Sequence, residues 1–251
     1  MSKIQVTSRG PVRRVVLARP EKRNALDAEA VALLRDAFRG PPAEAERVVV
    51  LAAEGAVFSA GLDFDEGPKF LAEPVAFEAL LAEVEAYPLP VVAVVQGAAI
   101  AGGAVLALSA DFVVAAAEAP FAMSAAQIGT APPWSLTQKL VEIAGPVATR
   151  ELLLLGEPIA AAELHRLGIV SRAAAPDDLE AMAETLIDRL AANAPLSLAA
   201  IKRQIARRSG FRDALEHGDL DAEAKTVTRS RDAEEGVTAR REKRLPRFRG
   251  R

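Results

Sequence analysis

The feature that most constrains the fold is an apolar, small-residue stretch, Val91–Asp111. Within it, Val91–Val95 carries β-branched residues and alanine without a polar break, which predicts a strand covered on both faces. A short turn at Gln96–Gly97 leads to a helix that opens at Ala101–Gly103. Adjacent glycines at a helix start let another group approach the backbone closely. The free N–H groups there, with the positive end of the helix dipole, predict a place for a negatively charged oxygen.

The chain before and after this stretch alternates strand patterns with helix patterns. Val12–Ala18, Val48–Ala52 and Asp111–Ala116 each predict a strand. Asp27 is a good N-cap for the helix that follows it, and Phe77–Glu85 predicts a second helix. This alternation indicates an α/β domain with a largely parallel inner sheet.

The last third of the chain has a different pattern. Helical periodicity marks Val147–Leu155, Ala161–Leu167 and Leu179–Leu190, and a further helix begins at Pro195. The segment Arg229–Arg251 is polar and rich in arginine. We therefore predict two regions of one functional unit, a core over residues 1–144 and a helical C-terminal region over residues 145–251.

Composition and charge exclude several classes of function. The chain has 251 residues, of which 51% are hydrophobic, so it can bury a large core. A formal net charge of -3 points to neither nucleic acid nor a membrane as partner. The absence of cysteine excludes thiol chemistry. Together with the lack of a signal-peptide pattern at the N-terminus, it predicts a cytoplasmic location. His165 and His217 are far apart in sequence, so no metal site is expected.

Six segments along the chain carry a family pattern. They are Arg19–Asp27, Phe58–Phe64, Pro88–Gly103, Ala107–Ala115, Ala161–Arg172 and Glu234–Gly250. In this order they resemble the crotonase superfamily, the enoyl-CoA hydratases and isomerases, over almost the whole chain. The resemblance implies a spiral of ββα turns with a C-terminal helical region that mediates trimer formation, and therefore a homotrimer or a dimer of trimers.

The resemblance also implies an oxyanion hole made of two backbone amides. One donor in such proteins is the N–H that follows Ala-Gly in the loop Phe58–Phe64, which is Leu62 here. The other is the N–H at the start of the central helix, which is Gly102 here. Two such donors would stabilise the oxygen of a thioester as it becomes an enolate.

A set of positions matches the loops that hold coenzyme A in this family. Lys22, Arg23, Ala25, Ala60 and Lys243 match directly, and we add Gly61 and Asp63 from the same loop as Ala60. Cationic side chains suit the phosphates of the coenzyme. For Asp63, a local role in bracing its loop is the simpler interpretation. Coenzyme A is expected only as part of an acyl-CoA substrate or ligand, with no permanently bound cofactor. Arg240 departs from the pattern, since the family usually has an aromatic residue there.

The chain departs from the hydratase pattern at the two positions that activate water. Family members place glutamates where this chain has Val105 and Ala125, and neither of these can transfer a proton. No Asp or Glu occurs between Ala119 and Lys139, so the carboxylate of some isomerases is missing as well. Val105, Ala125, Gln127 and Trp134 are expected to line the acyl pocket, and we expect no acidic side chain in that cavity.

Two functions stay open at this level. The chain is either an enzyme that polarises a thioester at Leu62 and Gly102, most simply a lyase or isomerase, or a non-catalytic acyl-CoA binding or carrier protein. A structural partner of an active homologue is a third interpretation. Dinucleotide binding is weaker, because the glycines between Gly97 and Gly103 do not form the required spacing.

Overall fold

The computed structural model describes residues 2–66, 75–209 and 218–250. Within these residues, ten strands form two sheets. They are β1 (Ile4–Arg9), β2 (Val12–Leu17), β3 (Val48–Ala53), β4 (Val57–Ser59), β5 (Val91–Val95), β6 (Ala98–Ile100), β7 (Phe112–Ala116), β8 (Pro120–Ala122), β9 (Ile159–Ala160) and β10 (Arg172–Ala174). The larger sheet has the order β1-β2-β3-β5-β7-β10, and the smaller sheet has the order β4-β6-β8-β9.

Nine α-helices lie within the described residues. They are α1 (Ala28–Arg39), α2 (Val75–Ala86), α3 (Gly102–Leu108), α4 (Trp134–Arg150), α5 (Ala161–Arg166), α6 (Leu179–Ala191), α7 (Pro195–Ser209), α8 (Gly218–Thr228) and α9 (Arg231–Arg241). None of these helices is long and apolar enough to cross a membrane.

The two sheets are built by a repeating path. A strand of the large sheet is followed by a strand of the small sheet and then by a helix, as in β3-β4-α2, β5-β6-α3 and β7-β8-α4. Neighbouring turns pair in parallel, with Val49 opposite Val91 in the large sheet and Ala99 opposite Phe121 in the small one. This is the predicted spiral of ββα turns, so the α/β fold class is confirmed.

The predicted central strand is confirmed at its bounds. All five residues of β5 are buried, because the sheet is covered on both faces. Helix α1 is also as predicted: the Asp27 side chain accepts a hydrogen bond from the Ala30 amide at 2.9 Å, and the helix buries Val31, Leu34 and Phe38 in the core.

The C-terminal region is more mixed than the sequence predicted. Helix α4 starts before the expected boundary and is kinked at Gly145, whose φ is +71°, and a π-helical turn, Glu151–Leu155, follows it. Strands β9 and β10 come after residue 144 and yet join both sheets. The region beyond residue 144 is mainly helical, as predicted, but these two strands were not expected, because strands of two or three residues are too short to leave a periodic pattern. The division into regions 1–144 and 145–251 stays a prediction.

Candidate functional site

The two predicted amides lie at one junction, where the loop after β4 meets the start of α3. We call the segments Ser59–Asp63 and Ala101–Gly103 the cavity floor. A Cβ placed on Gly102 would lie 3.3 Å from the Leu62 nitrogen. Gly61 has a φ of +89°, a conformation that favours glycine, and a Cβ there would meet the Ile100 carbonyl oxygen at 2.8 Å. The two segments are therefore in close contact through their backbones.

The backbone groups next to the two amides form hydrogen bonds of their own. The Leu26 amide donates to the Gly61 carbonyl at 2.8 Å, and the Asp63 amide donates to the Leu26 carbonyl at 2.9 Å. The Ala101 amide donates to the Ala122 carbonyl at 2.7 Å. Within the described residues, the amides of Leu62 and Gly102 are left without a hydrogen-bond partner. Both are thus available to an oxygen in the cavity.

Ala101 adopts an unusual backbone conformation at this junction, with φ +47° and ψ -117°. A non-glycine residue with positive φ carries a strain of order 1–3 kcal/mol, and such strain clusters at functional sites. The conformation ends β6 and starts α3 within one residue, and the Ala101 carbonyl already accepts from the Val105 amide at 3.0 Å. This abrupt turn fixes the direction of the following Gly102 amide.

Buried polar side chains hold the segments of the cavity floor in place by hydrogen bonds. The buried Ser59 hydroxyl accepts from the Gly61 amide at 3.2 Å and donates to the Asn24 carbonyl at 2.8 Å. The buried Asn24 side chain donates to the carbonyls of Glu54 and Val57, both at 2.8 Å. The left-handed φ of Arg23 and Asn24 is therefore held by bonds on both sides of the loop.

A buried ion network supports the same loops. One guanidinium nitrogen of Arg19 lies 3.0 Å from the Asp27 carboxylate and 2.8 Å from the Asp63 carboxylate. Asp63 also accepts from the Asp65 amide at 3.0 Å. Burial raises the pKa of Asp27, but hydrogen bonds from Lys3 and Ala30 and the charge of Arg19 outweigh it, so the pKa is lowered overall. Asp63, assigned above to coenzyme binding, is thus engaged in bracing its loop.

A cavity of about 710 Å³ opens above the floor. The predicted positions Lys22, Arg23, Ala25, Ala60, Leu62, Asp63, Gly102, Val105, Ala125 and Lys243 all line it. Its inner wall is apolar, with Val105, Ile128, Leu136 and Leu153 among the lining side chains. Such a cavity is large enough for a small-molecule ligand and is lined as such pockets usually are.

The opposite side of the cavity comes from α2 and the C-terminal helices. We call this side the cavity roof: Phe77, Glu78, Leu81, Thr228, Arg240, Arg241 and Lys243. The Arg241 guanidinium donates to the carbonyl of Phe64, which joins the roof to the loop below. Lys243 is thus one of the residues that line the cavity of its own chain. Exposed cations from both sides, Lys22 and Arg23 from below and Arg240 and Lys243 from above, meet at the opening.

Three predicted residues do not line the cavity. Gln127 is exposed and donates to the Leu155 carbonyl at 2.9 Å, and Trp134 begins α4, where its amide donates to the Asp221 carboxylate at 3.2 Å. These two side chains are not among those that line this cavity, whereas Leu136 of α4 is, and their assignment to the acyl pocket stays a prediction. Gly61 shapes the floor without lining it.

The cavity contains an acidic side chain that the sequence pattern did not predict. Glu78 of α2 lines it, so the expectation of a cavity without acidic groups was wrong. Burial raises the pKa of Glu78, the charge of Asp221 raises it further, and Lys225 lowers it. The available signal was its position beside the apolar positions Phe77 and Leu81 of the same helix.

His165 does not line the cavity. His165 is exposed, and its Nδ1 lies 2.9 Å from the Val170 carbonyl oxygen. His217 lies outside the described residues.

Comparison with known proteins gives a consistent result. A family model described as enoyl-CoA hydratase/isomerase matches residues 7–251. Carnitinyl-CoA dehydratase from Salmonella typhi is 34% identical over 99% of this chain and 98% of that protein. A solved enoyl-CoA hydratase from Mycobacterium avium subsp. paratuberculosis K-10 is 27% identical with a TM-score of 0.88, covering 98% of both chains. A methylmalonyl-CoA decarboxylase in complex with 2-nitronate-propionyl-CoA is 25% identical with a TM-score of 0.86, covering 99% of both chains.

The match of nearly the full length, the confirmed spiral and the cavity at the junction of its turns agree with one another. The chain belongs to the enoyl-CoA hydratase/isomerase family of the crotonase superfamily, whose members bind CoA thioesters.

Proposed function

We propose that this protein is an enzyme, a lyase or isomerase, that binds an acyl-CoA thioester and stabilises its enolate between the amides of Leu62 and Gly102. The observation that carries the proposal is that these two unpartnered amides both line the cavity and lie close together, since a Cβ on Gly102 would be 3.3 Å from the Leu62 nitrogen. An aimed backbone donor of this kind is worth about 3 kcal/mol in a transition state. The names of two similar proteins, a dehydratase and a decarboxylase of CoA thioesters, support the same chemistry.

The cavity opening is suited to the coenzyme part of the substrate. Lys22, Arg23 and Lys243 would face the phosphates, and exposed cations at a cavity mouth attract such anions. Ala25 and Ala60 line the cavity beside them and leave their backbones accessible to the nucleotide. Coenzyme A then enters only as part of the substrate, and the protein needs no permanently bound cofactor.

Standard two-glutamate hydration is not the reaction that we propose. The positions matched to the glutamates hold Val105 and Ala125, and both line the cavity. Their side chains exclude water from the acyl group and transfer no proton. Elimination, isomerisation and decarboxylation all proceed through an enolate and use the two amides directly.

The variant Gly102→Ala tests the proposal. Its methyl group would lie 3.3 Å from the Leu62 nitrogen and 3.4 Å from the Phe77 ring, in the space that the thioester oxygen needs. In a panel of β-hydroxyacyl-, enoyl- and malonyl-type CoA esters, we expect turnover of at least one by the wild type and about 100-fold lower kcat in the variant. Gly40→Ala is the matched control, since nothing lies within 4 Å of its added methyl group.

Two outcomes would contradict the proposal. One is no turnover of any ester by the wild type at high protein concentration. The other is a Gly102→Ala enzyme as active as Gly40→Ala.

The second candidate is an acyl-CoA carrier without catalysis. The apolar inner wall, including Val105, Ala125 and Leu136, favours an aliphatic chain. Each buried methylene contributes about 0.8 kcal/mol, so calorimetry should show affinity that rises with acyl length. An affinity independent of chain length would exclude this function.

We also propose that the chain acts as a homotrimer or a dimer of trimers in the cytoplasm, with neither a nucleic-acid nor a membrane partner. Exposed apolar side chains support self-association: Val147, Leu154 and Leu155 near α4, and Leu196, Ile201 and Ile205 on α7. Sedimentation equilibrium tests the assembly, and a monomer at micromolar concentration would contradict it.

A further inference from the structure

Helix α2 presents one charged side chain to the cavity. Phe77, Glu78 and Leu81 all line it, and Phe77 approaches the floor closely enough that its ring would lie 3.4 Å from a Cβ on Gly102. Glu78 is the next residue along the chain and is half-buried. A carboxyl group therefore lies on the cavity wall adjacent to the residue that touches the floor.

The other acidic groups that line the cavity are already engaged or lie at its mouth. Asp63 is paired with Arg19 at 2.8 Å, and Asp65 is paired with Lys22 at 3.2 Å. Glu21 is exposed at the opening. By contrast, within residues 2–66, 75–209 and 218–250 Glu78 forms neither a hydrogen bond nor an ion pair. It is the acidic lining group whose oxygens are free to meet a ligand.

We propose that Glu78 is the carboxylate that takes the α-proton of the bound thioester, an assignment that rests on the proposed function. The Cα–H bond breaks and its proton goes to a Glu78 oxygen. The electron pair forms a Cα=C bond, and the carbonyl π pair moves onto the oxygen held by Leu62 and Gly102. The reverse step returns the proton to Cα. When Cβ carries a hydroxyl group, the enolate oxygen instead re-forms the carbonyl and the electron pair of the Cα=C bond forms Cα=Cβ. The Cβ–O bond breaks, and the leaving hydroxyl takes the proton of Glu78 and departs as water.

The surroundings of Glu78 suit this role. Burial against the apolar wall disfavours its charged form. Helix α8 carries the charged groups that face it: Asp221 raises the pKa of Glu78, and Lys225 lowers it. No charged side chain of α2 itself is among the causes of the shift. A base whose pKa lies above its ordinary value, closer to neutrality, removes a carbon-bound proton more effectively.

Exchange of the α-protons of butyryl-CoA in D2O, followed by mass spectrometry, tests the proposal. This saturated ester has no leaving group, so exchange reports enolate formation alone. We expect Glu78→Gln to slow exchange by at least 100-fold while the Kd for butyryl-CoA, from calorimetry, changes less than threefold. Glu83→Gln is the matched control on the same helix, since Glu83 pairs with Arg35 and Arg39 outside the cavity. Its exchange rate should equal that of the wild type.

The outcomes separate this proposal from the one on which it rests. Exchange by wild type and Glu78→Gln at the same rate would overturn the role of Glu78 and leave the oxyanion hole standing. A wild type that binds butyryl-CoA without exchange, or that does not bind it, would overturn both.

The pH dependence gives an independent readout. Exchange should rise with pH through the pKa of Glu78, because the base must be ionised. Asp221→Asn should move this rise to lower pH, and Lys225→Met should move it to higher pH. If neither variant moves the profile, Glu78 is not the group that titrates.

Discussion

The floor and the roof of the cavity are built in opposite ways. The floor consists of backbone segments pressed together, with buried Ser59, Asn24 and Asp63 holding them. The roof consists of side chains from α2, α8, α9 and the segment after α9, and its cations are exposed. Floor residues are thus expected to couple function to stability, whereas a roof cation such as Lys243, which within the described part of the chain makes no hydrogen bond to the loop below, is expected to affect ligand binding alone.

The largest expected effect breaks the ion network below the floor. Arg19→Met leaves the Asp63 carboxylate, 7% exposed, without a cation, while Asp27 keeps its ion pair with Lys3 at 2.5 Å. Uncompensated buried charge costs about 3–5 kcal/mol, and we expect a loss of at least about 3 kcal/mol in the free energy of unfolding by urea. Arg14→Met is the control, since Arg14 pairs with Glu184 at the surface, and should cost about 1 kcal/mol or less. Equal losses in the two variants would contradict this view of the floor.

A smaller effect is expected from crowding the floor itself. A Cβ on Gly103 would lie 2.5 Å from the Ser59 carbonyl oxygen and 2.6 Å from its Cβ, so Ser59 must move. Gly103→Ala should therefore destabilise the protein by about 1–3 kcal/mol, as overpacking does. Gly40→Ala again serves as control. A Gly103→Ala protein that unfolds at the wild-type urea midpoint would show that the floor tolerates displacement.

The roof should respond differently. Lys243→Ala removes an exposed cation from the cavity opening, so the Kd for coenzyme A should rise by about three- to tenfold, with an unchanged urea midpoint. The loss should shrink at high salt, because exposed charges are screened. Arg172→Ala, an exposed cation on β10 away from the cavity, should leave the Kd unchanged. A large loss of stability in Lys243→Ala would remove the distinction between roof and floor.

The smallest expected effect is the pH dependence of the stability that Asp27, below the floor, contributes. The pKa of Asp27 is lowered in the folded protein from an ordinary value of 3.8, so its contribution to stability is fully present above pH 3.8 and is lost as the pH falls through the folded pKa. Urea midpoints measured from pH 5 downward should fall less steeply in Asp27→Asn, which keeps a good N-cap but does not titrate. Identical pH curves would indicate that other carboxylates dominate.

Local patterns were sufficient wherever an element's own residues decide its structure. The buried run Val91–Val95 predicted β5, and the Asp27 cap with its apolar face predicted α1. Strands β1, β6, β8, β9 and β10 were not predicted. The last four have only two or three residues, and their pairing with distant partners replaces any propensity of their own.

The sequence by itself determined the family and the alternation of strands with helices, because both depend on local motifs, and the family resemblance predicted the two amides of the floor. Only the tertiary structure decided the roof. Glu78 enters the cavity because α2 packs over the floor, and Arg241 reaches the Phe64 carbonyl across 177 positions of sequence. Contacts between segments so far apart follow from how helices pack, and no local pattern encodes them.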